Sequence, residues 1–114
     1  MAETIFSKII RKEIPAKVVY EDELCLAFYD VAPQAPVHVL VIPKKPIESL
    51  EQMAPEDAPL LGHLWQVIQR VARQEQVAES GYRVVVNCGQ QGGQSVDHLH
   101  FHILGGRDLA WPPG

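Results

Sequence analysis

Two cysteines in 114 residues, Cys25 and Cys88, exclude a scaffold built on disulfides, and each stands alone inside an apolar, strand-like run with no paired spacing suited to a metal knuckle. Both are expected as buried, reduced thiols. The chain lacks an apolar run of about 18 residues, so no segment reads as a membrane-spanning helix and no membrane partner is expected. It also lacks a leader pattern: Met1-Ala2-Glu3-Thr4-Ile5-Phe6 shows neither a basic region followed by an apolar one nor a small-residue cleavage signal. A cytoplasmic location is the resulting expectation. Positive charge is not in excess, because 10 Lys and Arg stand against 14 Asp and Glu for a formal net charge of −4. Apart from Lys8, Arg11, Lys12 and the pair Lys44-Lys45 the bases are scattered, which argues against a nucleic-acid partner. One small anion needs only a few well-placed donors, so that class of ligand stays open.

With 46% hydrophobic and 21% charged residues, the composition is that of an ordinary folded chain. Its length fits one domain spanning 1–114, and no repeat, low-complexity tract or linker divides it. Thr4 is placed to cap a short helix from Ile5 to Arg11, which Ile14-Pro15 stops. Lys17 to Tyr20 and Leu24 to Tyr29 read as a hairpin around Glu21-Asp22-Glu23, and the prolines of Asp30 to Pro36 demand a loop. Val37 to Ile42 reads as a buried strand. From Pro55 to about Glu79 the residues Leu60, Leu61, Leu64, Val67, Ile68 and Val71 recur at helical spacing, with Gly81 past the end. Tyr82 to Cys88 and Val96 to Leu104 return to strand around a glycine-bearing loop, Gly89 to Ser95. The predicted fold is α+β: an antiparallel sheet of about five strands with one long and one short helix, covered on one side.

The chemistry concentrates at the end of the chain. If Val96 to Leu104 is a strand, His98, His100 and His102 share one face while Leu99, Phe101 and Ile103 face the core. At about 3.3 Å per residue His98 and His102 then stand roughly 13 Å apart. All three cannot converge to the ~2.1 Å that a zinc ligand requires, although two neighbours could. A metal on two of them would need further ligands, and the cysteines are not near in sequence, so no metal is expected there. Three alternating imidazoles are hard to explain by packing, since each buried ring needs a partner. They can instead divide the roles of nucleophile, proton donor and proton acceptor. The preceding Gly89-Gln90-Gln91-Gly92-Gly93-Gln94-Ser95 is by itself an ordinary turn. Beside the histidines it can cradle a phosphate through backbone N–H groups and the Ser95 hydroxyl.

The run His98-Leu99-His100-Phe101-His102-Ile103-Leu104 matches the His-x-His-x-His signature of the histidine triad family, which the chain resembles over nearly its whole length. Phe6 to Ala16, Ala32 to His38, Val41 to Lys45, Gly92 to Ser95 and Trp111-Pro112-Pro113-Gly114 look like its Hint branch of purine nucleoside phosphoramidases. The resemblance implies a histidine triad fold and hydrolysis of adenosine or guanosine phosphoramidates without a cofactor. His100 would carry the nucleotide covalently, His102 would contact the phosphate, and His98 would orient the nucleophile's surroundings. Ser95 would donate to the phosphate or the departing amine, with Gly93 and Gln94 shaping its loop. Asp30 would accept from the ribose, and Asn87 would bond near the phosphate or ribose. Phe6, Ile9, Phe28, Val31 and Leu40 would wall the purine slot, though each also reads as ordinary core. His38 is either a satisfied core histidine or a residue that orients the triad. A homodimer is implied, formed through the long helix and a central strand into one continuous sheet, with Trp111 reaching toward the partner's site. Asp97 departs from relatives, which often carry a larger residue there. A second possibility is a nucleotide sensor or scaffold with little turnover.

Overall fold

The computed structural model describes residues 3–114; Met1 and Ala2, which open the stretch read for a leader, lie outside the described residues. Thr4 starts α1 (Ile5–Ile10) with a reciprocal cap: its hydroxyl accepts from the Ser7 N–H, and the Ser7 hydroxyl accepts from the Thr4 N–H. The helix stops well before Pro15. Lys12 turns left-handed (φ 64°), and the Glu13 N–H reaches back to Lys8 O while the Lys12 N–H reaches Ile9 O. That pair of bonds closes a Schellman turn with lysine where glycine is usual.

The hairpin of β1 (Val18–Glu21) and β2 (Cys25–Tyr29) forms as expected, because Asp22 Oδ1 accepts the N–H groups of both Leu24 and Cys25 and tightens the turn. Next to β2 lies β3 (Val37–Pro43), followed by two short 3-10 turns (Leu50–Gln52 and Pro55–Asp57) and the long helix α2 (Ala58–Gln74). The expected single helix from Pro55 to Glu79 is shorter at both ends. Pro55 opens a separate turn, and Gln76 (φ 62°) ends the helix through bonds from Val77 N–H to Ala72 O and Gln76 N–H to Arg73 O, well before Gly81. Last come β4 (Tyr82–Val85) and β5 (Phe101–Gly105), giving five antiparallel strands in the order β1-β2-β3-β5-β4.

Both late strands are shorter than the sequence pattern suggests. Val86 to Cys88 leave the sheet, so Cys88 is only partly buried whereas Cys25 is wholly so. Residues 96–100 are irregular rather than strand: Val41 opposite Phe101 is the last pair between β3 and β5, although β3 continues to Pro43, which has no N–H to offer. The Leu99 N–H bonds instead to Ile47 O at 2.7 Å. Side chains still alternate through this segment. Leu99, Phe101 and Ile103 join Cys25, Ala27, Val39 and Val41 against Leu64, Val67, Ile68 and Val71 of α2. Fully burying a residue such as Leu64 contributes about 1.5–3 kcal/mol. The opposite face is also covered, contrary to expectation: Leu26, Phe28, Leu40 and Ile42 pack under Phe6 and Ile9 of α1. That second, thinner layer borders the site.

Candidate active site

Between α1 and the sheet opens a cleft of about 270 Å³ with an apolar floor and a histidine end. Its volume lies near the lower end of the ~300–1,000 Å³ typical of small-molecule sites. Phe6, Ile9, Phe28, Val31 and Leu40 line it, with Asp30, Ser95, His100 and His102 supplying polar groups. Phe6 meets Phe28 edge-on at 5.6 Å between ring centroids and His100 at 5.1 Å, so one aromatic ring borders both the apolar slot and the imidazole. Sequence reasoning missed Ile14, Pro15, Ala16 and Tyr29, which also line the cleft. Ile14, Pro15 and Ala16 fall inside the Hint-like stretch Phe6 to Ala16, and Tyr29 stands between Phe28 and Asp30 in sequence, which is the signal that could have found them.

The hydrogen bonds fix which nitrogen of each ring carries the proton. His100 Nδ1 lies 2.8 Å from the carbonyl oxygen of His98, which can only accept, so the ring donates there and, in the neutral imidazole, the lone pair is on Nε2. His98 Nε2 donates in the same way to Pro43 O at 2.8 Å, while its buried Nδ1 has no partner. His98 therefore positions His100 through its backbone carbonyl, and its own ring locks the irregular segment onto the end of β3. Its ring does not line the cleft.

His38 and His102 form a second linked pair, because β3 and β5 run side by side with Leu40 opposite His102. The Gln34 N–H donates to His38 Nδ1 at 3.0 Å, leaving His38 Nε2 to donate to His102 Nδ1 at 2.9 Å. Asp30 Oδ2 stands 3.5 Å from the same Nε2, and Asp30 Oδ1 accepts the Ala32 N–H. In a neutral His102 the proton is thus on Nε2. Burial holds His102 at about 4, aided by His100 and His38 and opposed by Asp30. Burial lowers His38 also, against the attraction of Asp30. His98 is lowered chiefly by burial, with the bond to Pro43 opposing. His38 is buried, and both its ring nitrogens are hydrogen-bonded, one of them to His102.

The loop before the triad is stapled from within. Asn87 Nδ2 donates to Gly92 O at 2.7 Å, and Gln94 Oε1 accepts the Gly89 N–H while its Nε2 donates to Glu48 O and Val96 O. Asn87, Gly93 and Gln94 thus shape the loop and do not line the cleft, whereas Ser95 does. Gly93 adopts φ +74°, and a Cβ on Gly92 would sit 2.3 Å from Cys88 O, so this turn requires small residues. Lys17 lines the adjoining hollow, which shares Pro15, Ala16, Tyr29, Asp30 and Val31 with the cleft, but among the described residues no Lys or Arg lines the histidine end of the cleft. A phosphate there would meet imidazole, hydroxyl and backbone donors in place of a cationic side chain. Trp111 is 81% exposed and apart from the cleft. Its tail is tethered by Arg83, which donates to Leu109 O and Ala110 O.

Comparison with known proteins agrees with this geometry. Residues 11–109 match the model of the HIT domain. The chain is 63% identical over 112 residues to an uncharacterized HIT-like protein of Synechococcus elongatus, covering 98% of this chain and 97% of the relative. Among solved structures it is similar to a HIT family hydrolase of Legionella pneumophila (46% identity, TM-score 0.96, covering 98% of this chain and 100% of the other). It is also similar to a histidine triad protein of Clostridium difficile (44% identity, TM-score 0.92, covering 96% and 97%).

Proposed function

The chain belongs to the HIT domain family, and from that premise we propose that it is a hydrolase of purine nucleoside 5′-monophosphoramidates that works through a covalent nucleotidyl-histidine. The observation that carries the proposal is the bond from His100 Nδ1 to His98 O, which leaves Nε2 as the free nucleophilic atom at the end of an apolar slot. The hydrolase name of the Legionella structure supports the reaction class. The Hint-like stretches support the phosphoramidate.

In this scheme the purine lies in the slot of Phe6, Ile9, Phe28, Val31 and Leu40, and Asp30 accepts from the ribose. His100 Nε2 attacks phosphorus, the P–N bond breaks, and the amine leaves with a proton from the Ser95 side. The His102 Nε2–H and loop amides stabilise the phosphoryl oxygens. Water then attacks the nucleotidyl-histidine and gives one proton back to the Ser95 side, restoring it, as the P–N bond to His100 breaks and the nucleoside monophosphate departs. We also propose a homodimer, formed through α2 and a sheet strand, that extends the sheet along the outer edge of β4; Trp65 of α2, 46% exposed and edge-on to Phe101, offers an apolar surface for it.

Steady-state hydrolysis of an adenosine phosphoramidate by His100→Ala tests the scheme. Turnover should fall by more than the roughly 10²–10⁴-fold typical of losing a general acid or base, with AMP binding still measurable. Unchanged turnover contradicts it.

A further inference from the structure

On the face of the sheet opposite the cleft, the turn between β1 and β2 meets α2 in a cluster that the proposed reaction does not use. Alternation along β2 sends Leu26 and Phe28 toward the cleft and Cys25 toward α2. There the Cys25 thiol meets Asp22 from the turn and His63 from α2. Asp22 Oδ2 lies 2.7 Å from His63 Nε2, and the sulfur, the imidazole nitrogen and a carboxylate oxygen all lie within 4.8 Å of one another. We propose that Asp22, Cys25 and His63 form a binding site for one zinc-type divalent cation.

The donor set selects the ion. A sulfur, an imidazole nitrogen and one carboxylate oxygen suit zinc or cobalt, with water as a fourth ligand, and do not suit magnesium or calcium, which prefer oxygen throughout. The carboxylate is already oriented: the N–H groups of Leu24 and Cys25 hold Oδ1 at 2.8 and 2.9 Å, and the Tyr20 hydroxyl donates to Oδ2 at 2.9 Å. Such outer contacts hold a ligand in place before the metal arrives. An entry path exists, because the side chains of His63 and Asp22 keep 30% and 25% of their exposure although Cys25 is fully buried.

Binding changes no oxidation state. The thiol proton passes to solvent, neutral His63 shifts its proton to Nδ1, and the cation takes the sulfur, Nε2 and Oδ2. The bound ion ties the β1–β2 turn to the first half of α2. Spacing alone gives no hint of the site, since Asp22 and Cys25 are three residues apart but His63 arrives from a separate element.

Cobalt titration of the chelator-treated full chain tests the site. The expected result is a sulfur-to-cobalt charge-transfer band that saturates at one ion per chain, disappears on adding Zn2+, and is absent in Cys25→Ser. His63→Ala, an exposed-side change that tests the site even if the Cys25 variant fails to fold, should weaken binding at least tenfold. His102→Ala, which disrupts the Asp30, His38 and His102 group in the cleft, should keep the band. Absence of the band, full affinity in His63→Ala, or loss of the band only in His102→Ala would overturn the proposal.

Discussion

His38 Nε2 donates to His102 Nδ1 across 2.9 Å, and the Gln34 N–H on the far side of His38 dictates that direction. A backbone N–H cannot accept, so His38 Nδ1 is the acceptor and the proton of neutral His38 is on Nε2. His102 must then carry its own proton on the nitrogen that a bound phosphate would meet. Arg107 supports the arrangement at one remove, donating twice to Gln34 O at 2.9 and 3.2 Å.

His38→Asn removes that ordering without touching the nucleophile. Turnover should fall roughly 10–100-fold, less than the larger losses common for a direct proton donor, with KM little changed. Steady-state kinetics check this. A loss expressed only in KM would show that His38 serves binding and not the orientation of His102.

The lowered histidines make folding acid-sensitive. His102, at about 4, and His38 and His98, both below the usual 6.5, resist protonation when folded, so the unfolded chain takes up protons first as pH falls. Their contribution to stability is complete above pH 6.5 and is lost as pH falls toward 4. Thermal unfolding across that range should show Tm falling with acid, and His102→Gln should flatten the slope. An equal slope in the variant would show that His102 does not contribute.

Gly92 has no room for a side chain, with Cys88 O 2.3 Å from where a Cβ would stand. Gly92→Ala should cost about 1–3 kcal/mol, as overpacking does, and loosen the loop that carries Ser95. Calorimetric titration with AMP should show affinity reduced by about tenfold. Wild-type affinity would separate the loop's geometry from phosphate binding.

Much of this site was legible in the chain because alternation survives where regular structure does not. His98 and His100 fall outside β5, yet Leu99 still turns into the core, so the alternation was readable from a strand that is partly absent, although only His100 and His102 of the three line the cleft. The apolar wall was readable because Phe6, Ile9, Phe28 and Leu40 are also core residues. What stayed hidden depends on single backbone atoms: His98 O on His100, the Gln34 N–H on His38, and Pro43 O on His98. Helix ends were misplaced for a related reason. Lys12 and Gln76 take the left-handed position that glycine usually marks.

That substitution carries its own test. A left-handed non-glycine residue costs roughly 1–2 kcal/mol, and glycine there loses some of the gain to chain entropy. Gln76→Gly should therefore stabilise the fold by about 0.5–1 kcal/mol in urea denaturation. Destabilisation would show that the Gln76 side chain makes a contribution of its own.

The central claim is that His100 Nε2 is the atom that bonds to phosphorus. Mass spectrometry of protein quenched during turnover of an adenosine phosphoramidate, with the modified residue located, tests it most directly. The account predicts an adenylyl group on His100, absent in His100→Ala. Turnover with no adduct, or an adduct on another residue, would contradict it.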